Sequence, residues 1–327
     1  MVLGCQNKLI SKLSPNRAGM ETITTAKILP RWQLFLLSFK DAYKVLQAND
    51  PLRMAGATAF FTTFALPAIL IILIQLLRII FRIQHAGKRL MVQLEGIFGT
   101  ETTEAILQTL RAFRSMAQNW IIAIAGFLFL LFVATTLFKI IKGSLNELWK
   151  IRAMRKASFG QIMLSRLNGV LVIIFAGILF IIDLVADAAR TFLGKYINQY
   201  APAVGIYYDS ALNYVISVII VTIWFFLVFH FLPDGRPRWK VGLTGALVTS
   251  ILFNIGKAIL KVMLTYSSIN SIYGASASMV LLLLFMFYSS LIFYFGACFT
   301  DAWGTRTQRP VHLLHNASRY EITVAEA

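Results

Sequence analysis

Six stretches of this 327-residue chain are apolar for long enough to cross a lipid bilayer: Met54–Leu77, Trp120–Ile141, Leu167–Ala189, Ala211–Leu232, Val241–Thr265 and Ala277–Thr300. A crossing takes about 20 residues, each adding roughly 1.5 Å of helical rise. In hydrocarbon the backbone must satisfy its own hydrogen bonds, so runs of this length read as helices. The chain is therefore expected to be an all-α, polytopic membrane protein with six transmembrane helices. Composition removes the alternatives. Hydrophobic residues make up 58% of the chain and charged residues 14%, where a soluble domain carries about 25% charged residues. A soluble domain would lack polar surface. A disordered chain would not carry 26 Phe, 11 Tyr and 6 Trp.

The formal net charge is +17. Such an excess fits either a nucleic-acid binder, which neutralises phosphates, or a membrane protein whose Lys and Arg collect in cytoplasmic loops. Position decides. With the N-terminus placed inside, 21 of the 31 basic residues fall on the inner side and 7 on the outer side, and Arg78, Lys257 and Lys261 lie within or at the ends of spans. This asymmetry orients both termini toward the cytoplasm and accounts for most of the charge without nucleic acid. It also predicts contact with anionic headgroups at the cytoplasmic face. Cys5 and Cys298 lie at opposite ends of the chain, so no disulfide framework is expected.

Outside the spans, residues 1–30 read as a mobile cytoplasmic N-terminus, 31–303 as the membrane domain and 304–327 as a polar, mobile cytoplasmic tail. Trp32, Phe35, Phe39, Tyr43 and Leu46 recur at helical spacing, which predicts an amphipathic helix lying either on the inner membrane surface or on the bundle. Between Arg82 and Asn119, Ile106, Leu110, Phe113 and Ala117 follow a helical period, and one or two short helices are expected over the outer face. Trp120, Trp149, Trp239 and Trp303 lie near span ends, where indole rings favour the lipid interface. Pro67 should kink the first span.

Charges inside a bilayer mark function or a paired structure. Asp183 and Asp187 lie on one face of span three, and Lys257 and Lys261 on one face of span five. Counted at about 1.5 Å per residue from the inner end, Asp183 and Lys257 both lie roughly 24 Å in, within the outer half. The acids are expected to face the lysines across a polar interior. The uncharged stretch Thr265–Ser278, with Asn270 and Tyr273, has the polar groups needed to line a cavity mouth. Two meanings stay open: a route for a proton, an ion or a small polar solute, or a salt-bridged clamp without traffic. For a route, Asn146, Glu147 and Arg166 lie at the inner ends of spans two and three, where its cytoplasmic mouth would be.

Several segments together resemble the YihY/BrkB family of bacterial inner-membrane proteins. Asp50 to Pro67 is similar to the family's acid-led, alanine-rich segment, which ends in an aromatic pair and a proline. Gly143-Ser-Leu-Asn-Glu-Leu-Trp149 is similar to its Leu-Asn-x-x-Trp element, and Arg166 to the arginine that opens span three. Pro233, Trp239, Gly245 and Ala246 resemble the entry into span five. Tyr266, Ser271, Tyr273 and Gly274, with Gly296-Ala297 ending the next span, resemble the Tyr…Ser-x-Tyr-Gly segment. The departures are Phe61, where tyrosine is common, and Gly56 and Thr58 among the alanines. The resemblance covers about residues 35–303 and implies a six-helix protein of the bacterial cytoplasmic membrane. It also brings links to serum resistance and an old label as a transfer-RNA ribonuclease. The residues oppose that label. A metal-dependent nuclease needs clustered His and carboxylates. Here His85 and His230 are isolated, and His312 and His315 have no nearby acid in sequence. Neither an enzymatic centre nor a metal or cofactor is expected. The functional expectation is a transporter or exporter of an ion or small polar solute. The alternative is a non-transporting membrane protein that organises envelope partners or lipids.

Overall fold

The computed structural model describes residues 30–79, 86–98, 100–116, 120–153, 178–179, 182, 202–266, 277–314 and 317–320. These are mostly helical. The helices are α1 (Arg31–Gln47), α2 (Pro51–Ile79), α3 (Ala86–Phe98), α4 (Thr100–Met116), α5 (Trp120–Leu148), α6 (Pro202–Phe231), α7 (Trp239–Tyr266) and α8 (Ala277–Arg306). Four short strands join them: β1 (Ile151–Ala153), β2 (Gly235–Arg236), β3 (His312–Leu313) and β4 (Ala317–Arg319). Segments both long and apolar enough to cross a membrane occur in three helices among the described residues. They are Tyr214–Phe231 in α6, Trp239–Leu260 in α7 and Met279–Arg306 in α8. Helices α2 and α5 each have 29 residues, about 43 Å of rise. Nearly all of the expected third span lies outside the described residues, as does the N-terminal segment 1–29.

The distribution of polarity is the reverse of a soluble bundle. Leu243, Leu247, Ile251, Ile255 and Ile259 form an exposed row along α7, and Val215, Ile219 and Ile223 do so on α6. Thr58, Ser144, Thr249, Ser250, Asn254, Ser290 and Thr300 are buried. Surfaces of this kind suit hydrocarbon outside and small polar groups that let helices approach inside. Several of the interior hydroxyls bond back to their own helix. Thr249 donates to the Gly245 carbonyl (2.7 Å) and Thr300 to the Gly296 carbonyl (2.8 Å).

Helix α8 is central and packs against α1, α2 and α7. Its antiparallel seam with α7 is built from two reciprocal pairs. The face of Gly245 meets Thr300, and the face of Gly296 meets Thr249. Farther along, Gly256 meets the Tyr288 ring, whose hydroxyl donates to the Phe253 carbonyl (3.3 Å). The main core cluster gathers Met54 of α2, Leu145 and Leu148 of α5, Phe225 and Phe229 of α6, Ala246 and Val248 of α7 and Phe293 to Phe299 of α8. This end, where α2 begins and α5 and α8 finish, is called basal below, and the opposite end distal. A second cluster at the distal end joins Leu66, Leu70 and Leu73 of α2 to Leu90 and Leu94 of α3, Ile106 of α4 and Leu282 of α8. The segment between α2 and α5 thus supplies two helices. Helix α2 runs through Pro67 as one helix.

Local rules explain the junctions. Asp50, at φ 47°, turns the chain between α1 and α2, a region that Asp tolerates better than most residues. Pro51 then opens α2, where its missing N–H is not needed. Helix α1 uses Phe35 and Phe39 to reach α8: Phe35 lies 5.3 Å from Phe299 and 5.8 Å from Trp303, ring centre to ring centre. The edge beside that face leaves Trp32, Leu36 and Tyr43 exposed, so the helix packs on the bundle and presents an apolar edge.

Two expectations are corrected. Trp149 is not an interfacial residue. It is 1% exposed, and its Nε1 donates to the Ala297 carbonyl (2.9 Å). The indole faces inward because α8 offers it a carbonyl within an aromatic core. The tail is not loose over its described length. Helix α8 continues to Arg306, then β3 pairs with β2 and β4 pairs with β1, both antiparallel. The described residues 312–314 and 317–320 therefore strap the basal loops together. The strap is locked where Arg319 donates to both oxygens of Asp301, each at 3.0 Å. Arg319→Ala leaves that carboxylate, 16% exposed, without its bidentate partner. We expect a loss of about 1–3 kcal/mol, read as faster amide exchange in residues 317–320 with little change in the transmembrane helices.

Candidate functional site

The described part of the candidate polar interior lies on α7. Ser250, Asn254, Lys257 and Lys261 follow i, i+4, i+7 and i+11 spacing, so they share one face of the helix. Ser250 and Asn254 are buried, and Lys257 is half-buried. Asn254 is held from both sides. Ser217 of α6 donates to its Oδ1 (3.1 Å), and its Nδ2 donates to the Ser250 carbonyl (2.9 Å). Ser250 itself donates across to the Val218 carbonyl of α6 (2.9 Å). Polar contacts thus tie α6 to α7 just distal to the Gly245–Thr249 seam, and the face runs on toward the two lysines. Farther out, the hydroxyls of Thr102 and Thr103 at the start of α4 are buried without a hydrogen-bond partner among the described residues. Asp183, Asp187, Asn270, Tyr273 and Arg166 lie outside the described residues, and Lys261 is placed by its helix alone.

Asn146 and Glu147 lie at the basal end, near the finish of α5. Asn146 makes a reciprocal pair with Asp234: its Nδ2 donates to Asp234 Oδ2 (2.8 Å), and the Asp234 backbone N–H donates to its Oδ1 (2.9 Å). Lys142 Nζ meets the other oxygen, Asp234 Oδ1, at 2.8 Å. The end of α5 is thereby stapled to the α6–α7 loop. Glu147 accepts from Arg53 (3.3 Å), and Arg53 also lies 3.8 Å from Asp50. These groups are well exposed, so this pair contributes about 0–1 kcal/mol. Beside them Gln47, Asp50, Pro51, Leu52 and Arg53 line an open depression. Truncating Asn146 or Asp234 to Ala removes the same staple, so the two losses should not add. A double-mutant cycle is expected to show coupling of about 0.5–3 kcal/mol.

Several residues join elements through partners that are distant in sequence. Asp234 sits in a Pro-Asp-Gly turn, a signal for a loop but not for a partner on α5. Arg306 Nε donates to Asp41 Oδ2 (2.6 Å), joining α8 to α1. The Tyr294 hydroxyl meets Thr58 Oγ1 (2.5 Å), joining α8 to α2. Tyr294 is an apolar-span residue like its neighbours in sequence, and only the fold shows its partner. Among the described residues no group of three or more His, Cys, Asp or Glu could hold a metal ion.

The family model described as Virulence factor BrkB matches residues 42–319. The chain belongs to the BrkB family. Its relatives are bacterial membrane proteins. It is 25% identical over 265 residues to a UPF0761 membrane protein of Teredinibacter turnerae, covering 81% of this chain and 60% of that one. With a UPF0761 membrane protein of Vibrio vulnificus it shares 24% over 253 residues, 77% of each. With that of Mannheimia succiniciproducens it shares 24% over 273 residues, 83% of this chain and 91% of the relative. No solved structure matches the chain. The BrkB match takes in α1 from Ala42, all the long helices and the strap to Arg319, so the strapped basal end is part of the family region.

Proposed function

We propose that this BrkB-family membrane protein is a six-span transporter or exporter of an ion or small polar solute. In this reading the basal end faces the cytoplasm, both termini lie inside, and the bilayer is the bacterial inner membrane. The observation that carries it is the polar face of α7. Ser250 and Asn254 are engaged with α6 in mid-bundle, and the same face continues distally to Lys257 and Lys261. The basal half beneath it is filled with aromatic rings and strapped by the tail. A polar face that begins above a packed plug is what an interior closed on one side requires. Asp183, Asp187, Asn270 and Tyr273 then complete the outward-facing chamber, with the carboxylates opposite the lysines. Asn146, Glu147 and Arg166 belong to the inner mouth, which is sealed in this state.

The same plug also favours a second reading, in which nothing passes and the protein binds lipids or envelope partners through its basic inner face. Flux in proteoliposomes separates the two. A panel of ions and small polar solutes is expected to include one whose uptake depends on the protein and falls at least about tenfold in Asp183→Asn. Protein-independent uptake across the panel would favour the second reading.

A further inference from the structure

The start of α7 gathers positive charge without acids. Arg236, Arg238 and Lys240 lie within five residues, and all three are exposed. The chain brings in a fourth: the Gly304 face lies against both the Arg309 carbonyl and Val241, so exposed Arg309 sits beside the same helix start. The nearest carboxylate in sequence, Asp234, is already held by Lys142 and Asn146, and Asp301 by Arg319. None of the four cations has a carboxylate partner among the described residues. Arg238 is oriented by the strap, since its Nε donates to His312 Nε2 (2.9 Å). Arg236 lies 6.0 Å from the Phe231 ring centre. A helix N-terminus already carries positive partial charge, so Lys240 in the first turn is unfavourable without an anion nearby.

The apolar surroundings say what kind of anion. Trp239, 70% exposed, stands among these cations and is backed by the rings of Phe226 (5.3 Å) and His230 (5.4 Å). Below it the exposed row Leu243, Leu247, Ile251, Ile255 and Ile259 runs along α7. From Trp239 to Ile259 is about 30 Å of helix, the thickness of the hydrocarbon core. The cations therefore sit at headgroup depth, at the top of a strip suited to acyl chains.

We propose that this is a binding site for an anionic phospholipid of the basal leaflet. Arg236, Arg238, Lys240 and Arg309 hold the phosphate, Trp239 lies at the glycerol level, and the α7 row takes the acyl chains. The proposal does not depend on whether the protein transports. It predicts coupling between lipid and tail, because His312 of the strap orients one of the phosphate ligands.

Native mass spectrometry of the full chain in detergent tests it, with dioleoyl phosphatidylglycerol, dioleoyl phosphatidylcholine and inorganic phosphate as probes. The parent is expected to retain phosphatidylglycerol about tenfold or more over phosphatidylcholine. Arg236→Ala/Arg238→Ala/Lys240→Ala should abolish that preference. Arg31→Ala/Lys40→Ala/Lys44→Ala, which removes the same charge from α1, should keep it. The milder Arg238→Gln/Lys240→Gln should lower it by a smaller factor and guards against misfolding of the triple variant. Excess inorganic phosphate should not displace the lipid. Equal retention of the two lipids, an equal loss in the two triple variants, or displacement by phosphate would each overturn the proposal.

Discussion

Trp149→Ala is expected to destabilise the protein by about 3–5 kcal/mol, the range for removing a large aromatic from a packed core. Trp149 belongs to the core cluster that includes Leu145, Leu148, Phe293 and Phe299, and it is almost fully enclosed. The surroundings are poorly placed to close over the space. Helix α8 is fixed on one side by Tyr294 against Thr58 and on another by the Gly296–Thr249 contact. The loss has two parts that Trp149→Phe separates. Phenylalanine keeps much of the ring packing but cannot donate to Ala297, so it should cost about 1–2 kcal/mol, the hydrogen bond and a small void. Thermal unfolding in detergent should therefore show a drop in Tm several-fold larger for Ala than for Phe. Equal small drops would mean that the basal core is far more yielding than its packing indicates.

The second large effect is at the α7–α8 seam. A Cβ on Gly245 would overlap the Thr300 side chain, and one on Gly296 would overlap that of Thr249. Neither threonine can swing away without giving up its bond to the carbonyl one turn earlier. Gly245→Ala should therefore force the helices apart and destabilise by about 1–3 kcal/mol, although alanine is otherwise the better helix former. Thr300→Gly removes the obstacle. In Gly245→Ala/Thr300→Gly the overlap is gone, and the double variant should be more stable than the sum of the single losses predicts. Additive losses would contradict the reciprocal Gly–Thr geometry.

The class of the protein was legible because hydrocarbon leaves the backbone few choices. Apolar runs gave the helices of the described spans, and helical periodicity gave α1 and the α4 part of the α3–α4 hairpin. What periodicity could not reveal were the partners. Trp149 looked interfacial because it stands at a span end, and its inward turn depends on a carbonyl 148 residues away in sequence. The strap was hidden for a similar reason. Strands of two and three residues carry no periodic signal, and their pairing with β1 and β2 is set by where α5, α6 and α8 finish. Polar residues within α7 were partly legible. Lys257 and Lys261 stood out as charges in an apolar run, whereas Ser250 and Asn254 became part of the same face only once α6 supplied Ser217 and Val218.

That face carries the functional reading, and its access to water can be measured directly. In a Cys5→Ser/Cys298→Ala background, Asn254→Cys and Lys257→Cys can be labelled with a membrane-impermeant maleimide added to either side of oriented vesicles. The account predicts labelling of Lys257→Cys from the outer side, weaker labelling of Asn254→Cys from that side, and none of either from the cytoplasmic side. Labelling from the cytoplasmic side, or from neither, would contradict an outward-facing polar interior above a closed basal plug.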